Sequence, residues 1–136
     1  MINNTILMKN LIKILVLFVF PLFFSTLWWQ VNTFPDNTDF ESGLGFWKQS
    51  QTDGMDWTIK SGKTTSSNTG PSGANVGSYY IYTEATGNYS ETAGLEFKAD
   101  FTGIADPQIS LYYHMYGASM GILSLEFSYD GINWYP

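Results

Sequence analysis

Residues 107–129 alternate between apolar and polar side chains, and this pattern constrains the possible folds more than any other feature of the chain. Two alternating runs, 109–116 and 123–129, are separated by a glycine-bounded segment, 117–121. A period of two is typical of extended strands that have one buried and one solvent-exposed face. Two such runs with a short connection predict an antiparallel hairpin. Because an isolated hairpin is not stable in water, the pattern also predicts a second layer over its apolar face.

Other short runs predict further strands after residue 32, with a long loop between 62 and 77. The further predicted strands are 39–41, 46–50, 55–61, 78–85, 93–101 and one that begins near 132. Aromatic residues make up 18% of the sequence, and the segments between the runs are rich in glycine and serine. Such strands and turns are typical of all-β sandwiches and barrels. We therefore expect an all-β fold, an antiparallel β-sandwich with jelly-roll topology.

Three large aromatic residues are the strongest candidates for the core of this sandwich. Phe40, Trp47 and Trp57 occupy the predicted inward faces of their strands. An aromatic side chain of this size buries roughly 150–250 Å² in a protein core. We therefore predict that these rings pack between the two layers.

Residues 1–31 form a separate N-terminal segment. Lys9 and Lys13 precede an apolar run, 14–24, which is the arrangement of a secretory signal peptide. The run is shorter than the roughly 20 apolar residues that span a bilayer, although residues 27–29 extend it. A cleaved signal peptide and an uncleaved signal-anchor helix therefore both stay open. Either one predicts export, with the folded domain in 32–136 and a membrane attachment only if the segment is retained.

The charge balance limits the classes of partner. With 12 acidic and 6 basic residues, the chain has a formal net charge of −6. Nucleic-acid-binding proteins concentrate lysine and arginine, so we expect no nucleic-acid partner. The sequence contains no cysteine, so a secreted domain of this kind is held together by its core, with or without a metal.

Several short motifs occur in the order that is typical of one known family. They are DFESG at 39–43, DW at 56–57, TGPSG at 69–73, YIYTEA at 80–85, YHMYG at 113–117 and GIL at 121–123. In these motifs the chain resembles the MAM domain of cell-surface proteins, and its lack of cysteine fits the cysteine-poor versions in secreted bacterial proteins. The resemblance implies a jelly-roll sandwich that serves as an extracellular adhesion or interaction module. The pattern of the family continues past residue 136, so the domain is expected to be incomplete.

Calcium is the metal that the resemblance implies. Hard cations take oxygen ligands from carboxylates and backbone carbonyls. Glu41 and Asp56 stand at acidic positions of the family motifs and are the candidate ligands, with Asp39 a weaker one. The alternative is that these carboxylates are solvated at strand ends. Many family members carry an acid where Ala74 follows the Pro-Ser-Gly motif here.

Four tyrosines are candidates for a binding surface. They are Tyr80, Tyr82, Tyr112 and Tyr116, which fall on the same side of their predicted strands within each run. Exposed aromatic rings stack on sugars in many binding sites, and they are equally enriched in protein interfaces. An extracellular protein and a glycan are therefore both predicted as partners.

Catalysis is not expected. His114 is the single histidine, and the sequence contains no Gly-x-Ser-x-Gly, His-Glu-x-x-His or phosphate-loop motif. A catalytic histidine needs a nucleophile or an acid beside it, so we interpret His114 as a structural residue held between strands. The function predicted from sequence is a non-catalytic adhesion or interaction module of a larger protein. The alternative is a carbohydrate-binding module of a secreted hydrolase.

Overall fold

The computed structural model describes residues 11–18, 30–117 and 120–136, and all the regular secondary structure in these ranges is β. The strands are β1 (Leu11–Phe18), β2 (Lys48–Gln49), β3 (Thr58–Ser61), β4 (Tyr79–Tyr82), β5 (Ala93–Ala99) and β6 (Ile122–Ser128). They form a four-stranded sheet in the order β2-β5-β1-β6 and a two-stranded sheet of β3 and β4. The prediction of an all-β fold is confirmed.

Two kinds of strand pairing occur. Strands β2 and β5 are antiparallel, as are β3 and β4, in agreement with the sequence pattern. Strand β1 is instead parallel to both of its neighbours, β5 and β6. It joins two strands that would otherwise not meet, so it completes the larger sheet.

Strand β1 corrects the prediction of a helix in the N-terminal segment. Residues 11–18 are extended, and Ile14 is aligned with Leu95 on one side and Leu125 on the other. A continuous apolar run rich in Ile, Leu and Val suits a strand in a parallel arrangement as well as it suits a helix, so its sequence did not separate the two. Residues 1–10 and 19–29 lie outside the described ranges, and export stays a prediction. Within the described ranges, no helix is long and apolar enough to cross a membrane.

Strand β5 carries the core. Its residues Ala93, Leu95, Phe97 and Ala99 are each no more than 7% exposed, and Val31 packs with them. The alternation that predicted this strand is therefore confirmed. Burying these side chains supplies the main hydrophobic stabilisation, since each large apolar side chain contributes about 1.5–3 kcal/mol.

The three aromatic residues predicted as core are partly buried. Trp47 packs against the core cluster, with its ring 4.9 Å from that of Phe97. The indole N–H of Trp57 donates to the carbonyl of Ala93 at 3.1 Å, so a hydrogen bond links this side chain to β5. Phe40 lies in a turn with a φ of 64°. Of the three, Trp47 borders the core cluster, and none of them belongs to its buried centre.

The opening segment corrects a second prediction. Residues 39–41 do not form a strand but a turn, in which the Asp39 carboxylate accepts a hydrogen bond from the Glu41 N–H at 3.0 Å. An aspartate that binds the backbone two residues ahead favours a turn over a strand. The local side-chain bond therefore overrides the apparent alternation.

The predicted hairpin is wrong in its first half. Residues 107–116 form no strand, and both predicted faces are exposed, with Tyr112 at 84%, Tyr113 at 70% and Leu111 at 43%. Strand β6 does form, but it pairs with β1 and, at Phe127, with Tyr135. Alternation provides a segment with two faces, but a strand also needs a free edge to pair with. One edge of β6 is paired along its length with β1, and the other edge is bridged by Tyr135 at Phe127, while residues 107–116 pair with neither edge.

The end of β6 turns sharply around two polar residues. Ser128 is fully buried, and its hydroxyl accepts from the Gly131 N–H at 2.8 Å. The Asp130 carboxylate accepts from the N–H groups of Ile132 and Asn133, each at 2.8 Å. These backbone bonds stabilise the charged form and hold the pKa of Asp130 well below its ordinary value.

Candidate functional site

A cavity of about 550 Å³ lies between the loop 63–72 and the side chains of His114 and Tyr116. Sites for small molecules are commonly about 300–1,000 Å³. The loop contributes hydroxyls, an amide and the Lys63 ammonium, while residues 114–116 contribute two aromatic rings. The cavity therefore combines polar groups on one wall with ring faces on the other.

The loop is folded around one buried threonine. Thr64 is 7% exposed, and its hydroxyl donates to the carbonyl of Thr69 at 2.7 Å. Gly70 has a φ of 64°, and a Cβ at this position would overlap the Thr64 side chain. Because only glycine tolerates both the backbone angle and the close approach, the Gly-Pro turn has a structural reason.

Two of the predicted binding tyrosines, Tyr80 and Tyr82, form hydrogen bonds at the start of this loop. The Tyr80 hydroxyl donates to the carbonyl of Gly62 at 2.8 Å, and the Tyr82 hydroxyl is hydrogen-bonded to that of Thr65 at 3.3 Å. Their rings lie 6.3 Å apart on one face of β4. Burial, and then the proximity of Tyr82, raise the pKa of Tyr80. These tyrosines position the loop and are not in the wall of the cavity.

A glutamate that the sequence analysis missed holds the same loop from the end of β4. The Glu84 carboxylate accepts from the Ser66 hydroxyl at 2.9 Å and from the Thr86 N–H at 3.0 Å. The backbone hydrogen bond from Thr86 is the main reason that the pKa of Glu84 is lowered. Its place in the YIYTEA motif, two residues after Tyr82, was the available signal.

The two remaining candidate tyrosines, Tyr112 and Tyr116, differ in their position relative to the cavity. Tyr116 lines the cavity and is 63% exposed, whereas Tyr112 is 84% exposed and is not among the lining residues. The ring of His114 lies 6.5 Å from that of Tyr116. The interpretation of His114 as a residue held between strands is wrong, because this segment belongs to neither sheet and the side chain is exposed.

Glu41 joins the opening turn to the start of β4. Its carboxylate oxygen Oε1 accepts from the N–H groups of Ser78 at 2.6 Å and Tyr79 at 2.8 Å. A Cβ at Gly77, where φ is 74°, would overlap this carboxylate. The structure thus assigns Glu41 a bridging contact between two distant segments, a role that its sequence neighbours do not reveal.

The calcium prediction concerns Glu41 and Asp56, whose surroundings differ. A calcium ion takes about six to eight oxygen ligands, and one Glu41 oxygen already accepts two backbone hydrogen bonds. Asp56 is exposed on the approach to β3. In the part of the chain that the structure describes, no three acidic or histidine side chains are grouped as metal ligands. Calcium at Glu41 and Asp56 stays a prediction.

A second surface feature lies beside the cavity and is here called the aromatic segment, residues 109–116. Its large side chains are strongly exposed, namely Ile109, Leu111, Tyr112, Tyr113 and Tyr116. Scattered exposed apolar residues are ordinary, whereas a contiguous group of them marks an interaction surface. The aromatic segment is therefore the principal candidate for contact with a macromolecule.

Comparison with known proteins gives a consistent result. A family model described as "MAM domain, meprin/A5/mu" matches residues 38–133. Thyroid hormone-induced protein B from Xenopus laevis is 32% identical over 107 residues, which cover 75% of this chain and 15% of that protein. The chain thus spans a small part of the length of this relative. No solved structure matches the chain.

Proposed function

The chain belongs to the MAM domain family, and we propose that it is a non-catalytic adhesion module of a larger secreted or surface protein. Domains of this family are extracellular interaction modules. The residues that line the cavity include one histidine but no carboxylate. Among these residues the hydroxyls of the loop could act as nucleophiles, but no carboxylate is present to orient His114 as a base, which supports binding over turnover.

The exposed aromatic segment is the observation that carries the proposal of a protein partner. Tyr112 and Tyr113 are the most exposed of its tyrosines, at 84% and 70%. Tyrosine supplies a large contact area with few rotatable bonds and is enriched at interface hot spots. An extracellular protein that covers these rings would bury apolar surface that is otherwise in water.

Adhesion can be tested with beads coated with the full chain. We expect the beads to attach to cultured cells, and brief trypsin treatment of the cells to abolish attachment if the partner is a protein. Tyr112→Ser with Tyr113→Ser is expected to reduce attachment. Tyr89→Ser is the matched control, since Tyr89 is 71% exposed but lies outside the aromatic segment. Equal attachment by all variants would contradict the proposal.

A saccharide in the cavity is the second candidate function. A sugar ring stacks on an aromatic face while hydroxyls and amides orient it, and the cavity offers Tyr116 together with Ser67, Asn68 and Thr69. Tyr116→Ala is expected to abolish binding on a glycan array, whereas Tyr112→Ala, outside the cavity, is expected to leave it unchanged. No binding across a broad array, or equal loss in both variants, would exclude this function.

Export through residues 1–31 is a third part of the proposal. The lysine-flanked apolar run supports it. Amino-terminal sequencing of the exported protein distinguishes cleavage from anchoring. A protein that stays in the cytoplasm with this segment intact would contradict export.

A further inference from the structure

The cavity between the loop 63–72 and Tyr116 differs in charge from the protein around it. The chain has 12 acidic and 6 basic residues. The side chains that line the cavity nevertheless include the ammonium of Lys63 and the imidazole of His114, and none of the described lining residues has a carboxylate. The cavity is therefore a locally basic site on an acidic protein.

Lys63 also differs in its surroundings from other lysines of the domain. Four of the six lysines follow residue 32. Lys48 is aligned with Glu96 across the β2–β5 pair, and Lys98 attracts the same glutamate. Lys63 instead lies on the exposed loop, where it lines the cavity together with the single histidine of the chain. The fold thus presents this ammonium to whatever enters the cavity.

One acidic side chain, Glu84, contacts the loop without lining the cavity. Its carboxylate accepts from the Ser66 hydroxyl at 2.9 Å and from the Thr86 N–H at 3.0 Å, so donors within the protein already stabilise its charge. At physiological salt, exposed charges more than about 8 Å apart are largely screened from one another. The groups in the wall itself therefore determine most of the charge preference of the cavity.

Neutral groups in the same wall suit the hydroxyls of a sugar. Ser67, Asn68 and Ser72 are exposed and line the cavity, and their hydroxyl and amide groups both donate and accept hydrogen bonds. Tyr116 offers a ring face, and the His114 ring has an N–H donor in either protonation state. The cavity thus combines an aromatic face, partners for hydroxyls and one fixed cation.

We propose that the cavity binds an acidic saccharide, a sugar that carries a carboxylate or a sulfate group, and that Lys63 selects the anionic group. The ring of Tyr116 stacks on the sugar, and His114 donates a further hydrogen bond. A hydrogen bond from an ammonium to an anionic oxygen is about twice as strong as one between neutral groups, which favours an acidic sugar over a neutral one. This inference rests on the proposed saccharide function and names the class of sugar.

Matched ligands test the charge selection on the full chain. Trigalacturonic acid is compared with its trimethyl ester, and sulfated lactose with lactose, by isothermal titration calorimetry. We expect an acidic ligand to bind at least about fivefold more tightly than its neutral counterpart, the effect of one exposed ion pair, and added salt to reduce this preference. A preference in the first pair alone identifies a carboxylate as the group, and one in the second pair alone identifies a sulfate.

Variants of two nearby lysines provide the matched control. Lys63→Gln is expected to abolish the preference for the acidic ligand, whereas Lys63→Arg is expected to retain it, because a guanidinium keeps the positive charge. Lys60→Gln removes the same charge from β3, outside the lining of the cavity. This variant is expected to keep the preference of the natural chain.

The results separate the class of sugar from the saccharide function itself. Equal binding of the acidic and neutral ligands in both pairs, lost in Tyr116→Ala, would overturn the acidic class and leave a saccharide site in the cavity. Equal loss of the preference in Lys60→Gln and Lys63→Gln would also overturn the inference, because net charge and not the cavity would then select the ligand. Binding of none of the four ligands would overturn it as well, and the broad glycan array then decides separately on the saccharide function.

Discussion

Strand β5 and the aromatic segment have the same alternating pattern of apolar and polar residues, but they differ in burial. In β5 the apolar positions are almost completely buried, whereas Leu111 and Tyr113 of the aromatic segment are 43% and 70% exposed. The difference lies in their neighbours. Strand β5 is paired on both edges, by β1 and β2, while residues 109–116 belong to neither sheet. Alternation therefore prepares a segment for burial, and pairing decides whether burial occurs.

The comparison also explains the division between stability and binding. A strand paired on both edges has its polar backbone satisfied and its apolar face covered, so a substitution there affects unfolding. A segment outside the sheets keeps its side chains available to a partner, so a substitution there affects binding. The following predictions test this division, beginning with the largest expected effect.

Shortening one leucine in each region gives the sharpest contrast. Leu95 is 1% exposed and Leu111 is 43% exposed. Leu95→Ala is expected to lower the free energy of unfolding by about 2–5 kcal/mol, because it removes buried contacts and leaves a cavity. Leu111→Ala is expected to change it by less than about 1 kcal/mol. Urea unfolding of both variants measures the difference. Equal losses would mean that the aromatic segment also packs in the core.

The effect of calcium on stability tests the opening turn, residues 39–41, as a third region. Thermal unfolding is measured with excess calcium and with a chelator. A cation at a hundred times its dissociation constant stabilises the folded state by about 2.7 kcal/mol. The calcium proposal predicts this gain in the natural chain and its loss in both Glu41→Gln and Asp56→Asn. Without calcium, Glu41→Gln alone should cost about 1 kcal/mol, since it weakens the bonds to Ser78 and Tyr79. If the unfolding midpoint does not respond to calcium, the calcium site is excluded. Glu41 then serves only to link the opening turn to the start of β4.

The polar anchor of β5 gives a smaller effect. Trp57→Phe removes the N–H that donates to the carbonyl of Ala93 and is expected to cost about 1–2 kcal/mol. Tyr113→Phe, in the exposed aromatic segment, likewise removes one hydrogen-bonding group. It should leave the free energy of unfolding unchanged within error. Chemical denaturation compares the two. A loss at Tyr113 equal to that at Trp57 would break the distinction between the regions.

The smallest effect is a pH dependence that arises from Glu96 in β5. The folded pKa of Glu96 is raised above its ordinary value of 4.5, chiefly by burial. The unfolded chain therefore loses this proton first as pH rises, and ionisation of Glu96 destabilises the fold above about pH 4.5. Glu96→Gln should equal the natural chain in stability at lower pH and exceed it at neutral pH. A stability difference between the variant and the natural chain that narrows as pH rises would contradict the raised pKa of Glu96.

Several features of the molecule could be predicted from local sequence. The alternation of 93–101 identified β5 and its buried face, because every apolar position of that run faces the same side. The ordered motifs at 39–43, 69–73 and 113–117 indicated the family that the comparisons show.

Other features depended on contacts between distant residues. Glu41 contacts residues 37 and 38 positions away, and Tyr80 anchors a loop 18 positions before it. No period or motif encodes such pairs. The same is true of His114, which lines a cavity with the loop 63–72 and is not held between two strands.

The sequence by itself determined the all-β character, the family and the buried face of β5, because these follow from residue type and spacing. Only the tertiary structure decided which alternating segments pair, that residues 11–18 are a strand, and that Tyr80 and Tyr82 hold a loop whose cavity Tyr116 lines. Backbone hydrogen bonds between strands are made with whichever edge is near in space. Pairing is therefore a property of the folded chain, and it turns one alternating segment into the core and leaves another as a surface for binding.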